Sequence, residues 1–220
     1  MVLCVQADSE FNVIIVMIDT LYTIGYSGFQ VEDFINTLKS QGILLVVDVR
    51  SAPYSHFFSD FNRDVLEQRL KKMNMHYRNY NKEFGARQDA KEYYSKAGYL
   101  DFELFAKSAP FLSGVDKLKT SMDKGYTFAL MCAEKDPITC HRAILVSKSF
   151  YNAGFKVVHL LPNNITMTQK DIENRLVKKY FPNRDQFSLF DRNLSAQECI
   201  CEAYKKQNAA IGYSIEEDVK

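Results

Sequence analysis

Residues 43–49 read ILLVVDV, a run of β-branched residues and leucine interrupted only by Asp48. A strand with one wet face alternates apolar and polar side chains, so a run apolar on both sides belongs to a parallel strand covered by helices above and below. Upstream, Gln30 to Ser40 carries Val31, Phe34, Ile35 and Leu38 at the three-and-four spacing of an amphipathic helix, ended by Gly42. Before it, Thr20 to Ile24 reads as a strand that runs into Gly25-Tyr26-Ser27-Gly28, where the glycines allow positive φ and a tight exit. Downstream, SAPYSHFFSDFN reads as a long loop, Arg63 to Met73 as a helix and Met75 to Tyr80 as a short strand. Tyr93 to Phe105 and Val115 to Met122 are expected to be helical, with Gly98, Pro110 and Gly114 marking breaks. Tyr126 to Met131 and Lys156 to Leu161 read as strands, joined by a helix from His141 to Asn152. Two more helices are expected, from Thr168 to Tyr180 and from Ser195 to Gln207.

Strands alternating with helices imply right-handed βαβ units. The expected fold is α/β, a three-layer, mainly parallel sheet flanked by helices, in a single domain with a helical C-terminal extension. Residues 1–16 read as an N-terminal extension, with an extra edge strand as the alternative, residues 17–180 as the α/β domain and residues 181–220 as the helical extension. The chain has 220 residues and 46% hydrophobic content, within the range of one compact domain. Its 28 basic and 27 acidic residues leave a net charge of +1, so any attraction to nucleic acid or anionic membrane has to be local. The apolar stretch from Phe11 to Ile18 is far shorter than a membrane-spanning helix, and no basic signal-peptide region precedes it. An odd number of cysteines, Cys4, Cys132, Cys140, Cys199 and Cys201, favours reduced thiols and a cytoplasmic location.

In sheets of this kind ligands bind beyond the carboxyl ends of the strands, and the polar clusters of this sequence fall there. The sharpest is MCAEKDPITCHR, residues 131–142, which sets two thiols, two carboxylates, a histidine and an arginine in one strand-to-helix connection. A helix N-terminus stabilises a thiolate or a bound anion, which points to Cys140, His141 and Arg142. The plainer alternative makes Cys132 an ordinary buried residue, Asp136-Pro137 a turn and Thr139 or Asp136 a cap. A phosphatase-type loop needs an arginine six residues after its cysteine; Ile138 and Val146 stand there instead. Cys132, Cys140 and His141 are eligible zinc ligands, but their spacing along the chain is poor, so no metal and no other cofactor is expected. The second cluster is VVDVRSAPYS, in which Asp48 and Arg50 end an apolar strand; they either pair with each other or offer a guanidinium fork to phosphate or carboxylate. The third, residues 76–94, interleaves Arg78, Lys82, Arg87 and Lys91 with Tyr77, Tyr80, Phe84, Tyr93 and Tyr94 and could touch nucleic acid, but its acidic residues dilute the charge and favour a solvated, partly packed loop.

The order TIGYSG, VVDVRSAPYS, FGAR, MCAEKDPITCHR resembles the bacterial and archaeal domain of unknown function 488 family, over roughly residues 20–165. The resemblance implies a compact α/β domain with matched positions at Tyr26, Ser27, Asp48, Arg50, Pro53, Cys132, Glu134, Cys140, His141 and Arg142, and it implies no established activity. Beyond it, Gln186-Phe187-Ser188-Leu189-Phe190 is similar to the short peptides that bind the bacterial sliding clamp; in these Gln186 would fix register while Leu189 and Phe190 enter a groove.

The leading expectation is a protein that binds or acts on a small anionic ligand, phosphate-bearing or nucleotide-like. Arg50 and Arg142 would hold the anion with help from Asp48, Ser27, Tyr26 and Cys132; Cys140 would be the nucleophile, with Glu134 or His141 moving protons. The rival is a non-catalytic module attached to DNA repair or replication through residues 186–190. A membrane partner is not expected, and the oligomeric state stays open.

Overall fold

The computed structural model describes residues 3–7, 13–17, 19–182 and 194–215. Near the N-terminus, β1 (Leu3–Ala7) and β2 (Val13–Met17) pair antiparallel with each other and add no strand to the main sheet. The main sheet holds β3 (Thr20–Gly25), β4 (Leu45–Asp48), β5 (His76–Asn79), β6 (Phe128–Cys132), β7 (Lys156–Leu160) and β8 (Thr166–Thr168). Their order is β5-β4-β6-β3-β7-β8, parallel throughout except for β8, which returns antiparallel along β7. The helices are α1 (Val31–Ser40), α2 (Arg63–Lys72), α3 (Asn81–Phe84), α4 (Phe102–Phe105), α5 (Ala109–Asp123), α6 (Lys148–Asn152), α7 (Gln169–Tyr180) and α8 (Ala196–Ile211). Among the described residues no helix is long and apolar enough to cross a membrane.

The apolar run that opened the argument is buried on both sides for the reason expected. Successive side chains of a strand point to opposite faces, so Leu45, Val47 and Val49, with Phe128, Leu130 and Cys132, enter one core lined by α3 to α8. Val46, with Ala129 and Met131, enters the other, against Phe34, Leu38, Leu66 and Leu70 of α1 and α2. Three layers result. The α8 helix contributes Ala203 and Tyr204 to the first core.

The structure corrects the expectation for the middle of the chain. Residues 93–105 are not one helix: a 3-10 turn at Lys91–Tyr93 leads to a bridge between Tyr94 and Leu100, and only Phe102–Phe105 is α-helical. Gly98, at φ +86°, turns the chain back on itself, and Asp101 then starts a new helix by accepting hydrogen bonds from the Glu103 and Leu104 amides. Conversely α5 begins at Ala109 and runs through Pro110 and Gly114, two of the three residues read as breaks. Ser108 caps it, and Pro110 falls in the first turn, where a missing N–H costs no helical hydrogen bond. Gly114 is needed inside α5 because a Cβ there would come within 2.6 Å of the Glu83 side chain, so the glycine lets α3 lie close.

His159 on β7 is a core histidine rather than a site residue. Fully buried, its ring meets the Thr23 hydroxyl at 2.7 Å and the Gln169 carbonyl oxygen at 3.0 Å. The carbonyl oxygen can only accept, so Nε2 carries the proton and Nδ1 accepts from Thr23. Burial, with nearby Arg142, holds its pKa down to about 3. An unfolded histidine titrates near 6.5, so the stability gained by keeping His159 neutral is complete above about pH 6.5 and is lost as pH falls toward 3. Between pH 7 and 4.5 urea denaturation of wild type is expected to lose about 2–3 kcal/mol that a His159→Gln variant does not lose. Parallel pH profiles for the two proteins would rule out this origin.

Candidate functional site

The carboxyl ends of β3, β4 and β6, the central strands of the sheet, bring the predicted clusters together. Beyond β3 the chain is strapped to the segment after β6: Tyr26 N donates to the Cys132 carbonyl at 3.1 Å and Ser27 N to the Ala133 carbonyl at 2.9 Å. Gly25 is required at this crossing for space, not for its dihedral angle. A Cβ on Gly25 would lie 1.8 Å from the Glu134 carbonyl oxygen. Gly28, at φ +91°, is the residue of this turn that uses glycine's conformational freedom.

At the end of β4, Asp48 is fully buried and accepts from four donors: the Arg50 amide at 3.0 Å, Arg50 Nε at 2.9 Å, Arg50 Nη2 at 2.6 Å and the Tyr77 hydroxyl. Arg50 Nη2 also donates to the Phe61 carbonyl at 2.9 Å, and the guanidinium lies 5.2 Å from the centre of the Tyr26 ring, which stacks on Phe61. Pairing with Asp48 and function are not exclusive here: the fork uses one edge on Asp48, and Nη1 is buried without a partner. Although burial works against a charged arginine, Asp48 more than restores its basicity. The Tyr77 phenol is pushed up by burial and by the same carboxylate. Tyr26 is also raised by burial, with Arg50 opposing and Cys132 and Glu134 adding to it.

After β6 the chain doubles back through a 3-10 turn at Pro137–Thr139, and this return places Cys140 and His141 over Cys132. Asp136 caps that turn by accepting from Ile138 N at 3.2 Å, and it pairs with Arg175 at 2.6 Å. Cys140 is extended, and the helix follows directly. The carboxylate of Glu134, an exposed residue, reaches back over both buried thiols, its Oε2 lying 3.1 Å from Cys132 Sγ and 2.9 Å from Cys140 Sγ. His141 donates from Nε2 to the Val49 carbonyl at 3.0 Å, which leaves Nδ1 3.9 Å from Cys132 Sγ. Between Arg142 and Ser147 the helix widens into a π segment, and the Ser147 hydroxyl donates to the Arg142 carbonyl at 2.7 Å.

Arg142 is fully buried, and Nη1 and Nη2 donate to the carbonyls of Glu134 and Lys135 at 2.6 and 3.3 Å. It therefore braces the loop from beneath. Carbonyls satisfy Nη1 and Nη2, Nε is buried without a partner, and none of this neutralises the charge, so the buried cation calls for an anion nearby. Its charge bears on Cys140: burial resists ionisation there, but contact with the Cys132 thiol and the charges of Arg142 and His141 draw the Cys140 thiol well below its usual range. Cys132 is pushed up instead, by its neighbour Cys140 and by burial. Although Glu134 is exposed as a residue, its carboxyl end is enclosed against the buried thiols, and that burial, reinforced by Cys140, raises its pKa. Burial resists the charged form of His141, and contact with Cys140 outweighs it.

Sequence reasoning placed Tyr77 only in the basic and aromatic stretch and missed its approach to Asp48, which depends on the register in which Val46 faces Tyr77 across β4 and β5. The basic and aromatic stretch at 76–94 proves partly packed: Tyr77 and Phe84 are buried, Tyr80 stacks on Phe84, and Tyr93 rests on Phe105. Gln186, Leu189 and Phe190 lie outside the described residues.

Compared with models of known families, residues 30–148 match the one described as domain of unknown function DUF488. The chain belongs to the DUF488 family. The matched stretch carries Asp48, Arg50, Cys132, Glu134, Cys140, His141 and Arg142, whereas Gly25, Tyr26 and Ser27 precede it. Comparison with curated proteins and with solved structures gives no match.

Proposed function

We propose that this DUF488 protein binds a small anionic ligand, phosphate-bearing or nucleotide-like, and acts on it through Cys140. The observation that carries the reading is Arg50 Nη1, a buried donor without a partner, on a guanidinium that Asp48 holds rigidly at the end of the central strands. Such a donor is already oriented for one anionic oxygen. Arg142 lies deeper and serves by holding the loop and favouring the Cys140 thiolate. Sulfur attack would form a bond from Cys140 to the electrophilic atom as the leaving group departs with its electron pair, and Glu134, the exposed carboxyl beside the thiol, would give that group its proton.

Alkylation by iodoacetamide at neutral pH, read peptide by peptide by mass spectrometry, tests both halves. In metal-free protein Cys140 is expected to react at least about tenfold faster than the half-buried Cys201, despite its own burial. Inorganic phosphate or a nucleoside monophosphate should slow that reaction in wild type and not in Arg50→Lys. Equal rates at the two cysteines would remove the nucleophile, and unprotected alkylation in wild type would remove the anion.

A further inference from the structure

Cys132, Cys140 and His141 each offer a ligand atom, and these atoms lie within 4.8 Å of one another in a buried position. Spacing along the chain argued against such a meeting; the Pro137–Thr139 turn brings it about by folding the second half of the loop over the first. With sulfur at about 2.3 Å and nitrogen or oxygen at about 2.0 Å from a zinc ion, the edges of a tetrahedral set measure about 3.3–3.8 Å. Of the observed separations, 2.9 and 3.1 Å from the thiols to Glu134 Oε2 are shorter than such edges and 3.9 Å from Cys132 Sγ to His141 Nδ1 is close to the longest, with every pair among the two thiols and the imidazole within 4.8 Å, so an ion needs side-chain shifts of up to about 1 Å.

The histidine is oriented as a metal ligand has to be. Its Nε2–H is spent on the Val49 carbonyl, so in the neutral ring the Nδ1 lone pair faces the sulfurs. A backbone carbonyl on the far nitrogen is a common outer partner of metal-bound histidines, because it fixes both tautomer and ring angle. Two sulfurs and an imidazole suit zinc and its soft neighbours and are poor ligands for magnesium or calcium. The fourth donor differs from the other three, since it comes from the exposed Glu134 and can swing away without disturbing the core.

We propose that Cys132, Cys140 and His141 bind one thiophilic divalent cation of the zinc class, with Glu134 as the fourth, exchangeable ligand. Binding displaces whatever protons the two sulfurs still hold, at most one on each, and joins both sulfurs to the metal. A cation on Cys140 withdraws that sulfur from nucleophilic attack, so the loaded and metal-free forms are alternative states of one site. The inference uses the residues of the proposed function but does not depend on its chemistry.

The test is a titration of the reduced, chelator-stripped full chain with cobalt(II), followed by zinc(II). Expected are one cobalt per chain, the intense visible bands of tetrahedral cobalt with sulfur-to-cobalt charge transfer, and their loss when zinc displaces it. Cys132→Ser and Cys140→Ser should each weaken binding by more than about 100-fold, whereas Cys199→Ser should not. Zinc should also shield Cys132 and Cys140 from alkylation while Cys201 still reacts. The wild-type spectrum decides the matter even where a variant folds poorly: weak octahedral bands without charge transfer, or no stoichiometric binding, overturns the site, as does unchanged affinity in Cys140→Ser. Slow alkylation of metal-free Cys140 together with tight cobalt binding would instead overturn the thiol chemistry and leave the metal site standing.

Discussion

Replacing Asp48 with alanine is expected to destabilise the protein by about 3–5 kcal/mol, among the largest effects any single substitution should have here. Asp48 lies at the centre of a closed hydrogen-bond set that takes three bonds from Arg50 and one from Tyr77 with no solvent access. Its removal leaves a guanidinium that is 5% exposed with only the Phe61 carbonyl as an acceptor. Most of the cost comes from that stranded charge and not from the attraction lost. A double variant, Asp48→Leu with Arg50→Met, removes both charges and should recover most of the loss while abolishing protection of Cys140 by phosphate. Urea midpoints for the two singles and the double give the coupling directly. Additive losses would show that the pair is not an energetic unit.

Gly25→Ala should cost about 3 kcal/mol and disable the site at the same time. The new Cβ would meet the Glu134 carbonyl oxygen at 1.8 Å, a backbone atom that cannot rotate aside. Either β3 or the loop after β6 has to move, and both are tied together by Tyr26 N to Cys132 O, Ser27 N to Ala133 O and Arg142 Nη1 to Glu134 O. Relief of the clash therefore pulls the Glu134 carboxylate off the two thiols. The expected signature is lost stability in urea together with an alkylation rate at Cys140 no faster than at Cys201. Gly125→Ala is the contrasting case: a Cβ there meets nothing within 4 Å, and the cost is limited to its φ of +84°.

What was legible in the sequence is what periodicity writes locally. ILLVVDV, the α1 stripe of Val31, Phe34, Ile35 and Leu38, and the strand ending at Cys132 each declare their element within a few residues. Residues 93–108 fail that test because their aromatics follow tertiary demands: Tyr93 leans on Phe105, and Phe105 on Phe111. Strand β8, Thr166-Met-Thr168, is too short and too polar to announce itself, and it exists because β7 offers an edge. At the site, residue types and loops were readable, but partners were not. Arg50 was expected either to pair or to bind, and the geometry lets one guanidinium do both, because its two edges face different ways. Cys132, Cys140 and His141 looked poorly spaced for one ion, two of them adjacent and no close pair of cysteines among them, and the turn at Pro137–Thr139 nonetheless gathers their ligand atoms within 4.8 Å.

The position of β6 between β3 and β4 has a consequence for how the molecule comes into being. β3 and β4 never pair with each other; the strand that joins them begins at Phe128, long after β4 ends at Asp48. During synthesis the first strand of the sheet must wait several seconds at ordinary elongation rates for a lateral partner, a non-local arrangement that favours slow folding and leaves strand edges bare meanwhile. The segment that ends the wait is the one that carries Cys132, with Cys140 close behind. The stretch that fills the centre of the sheet is also the one that brings the thiols together, so the Asp48, Arg50 and Tyr77 set on β4 and β5 can form first, the cysteines join it only with β6, and β7 and β8 add at the edge afterwards.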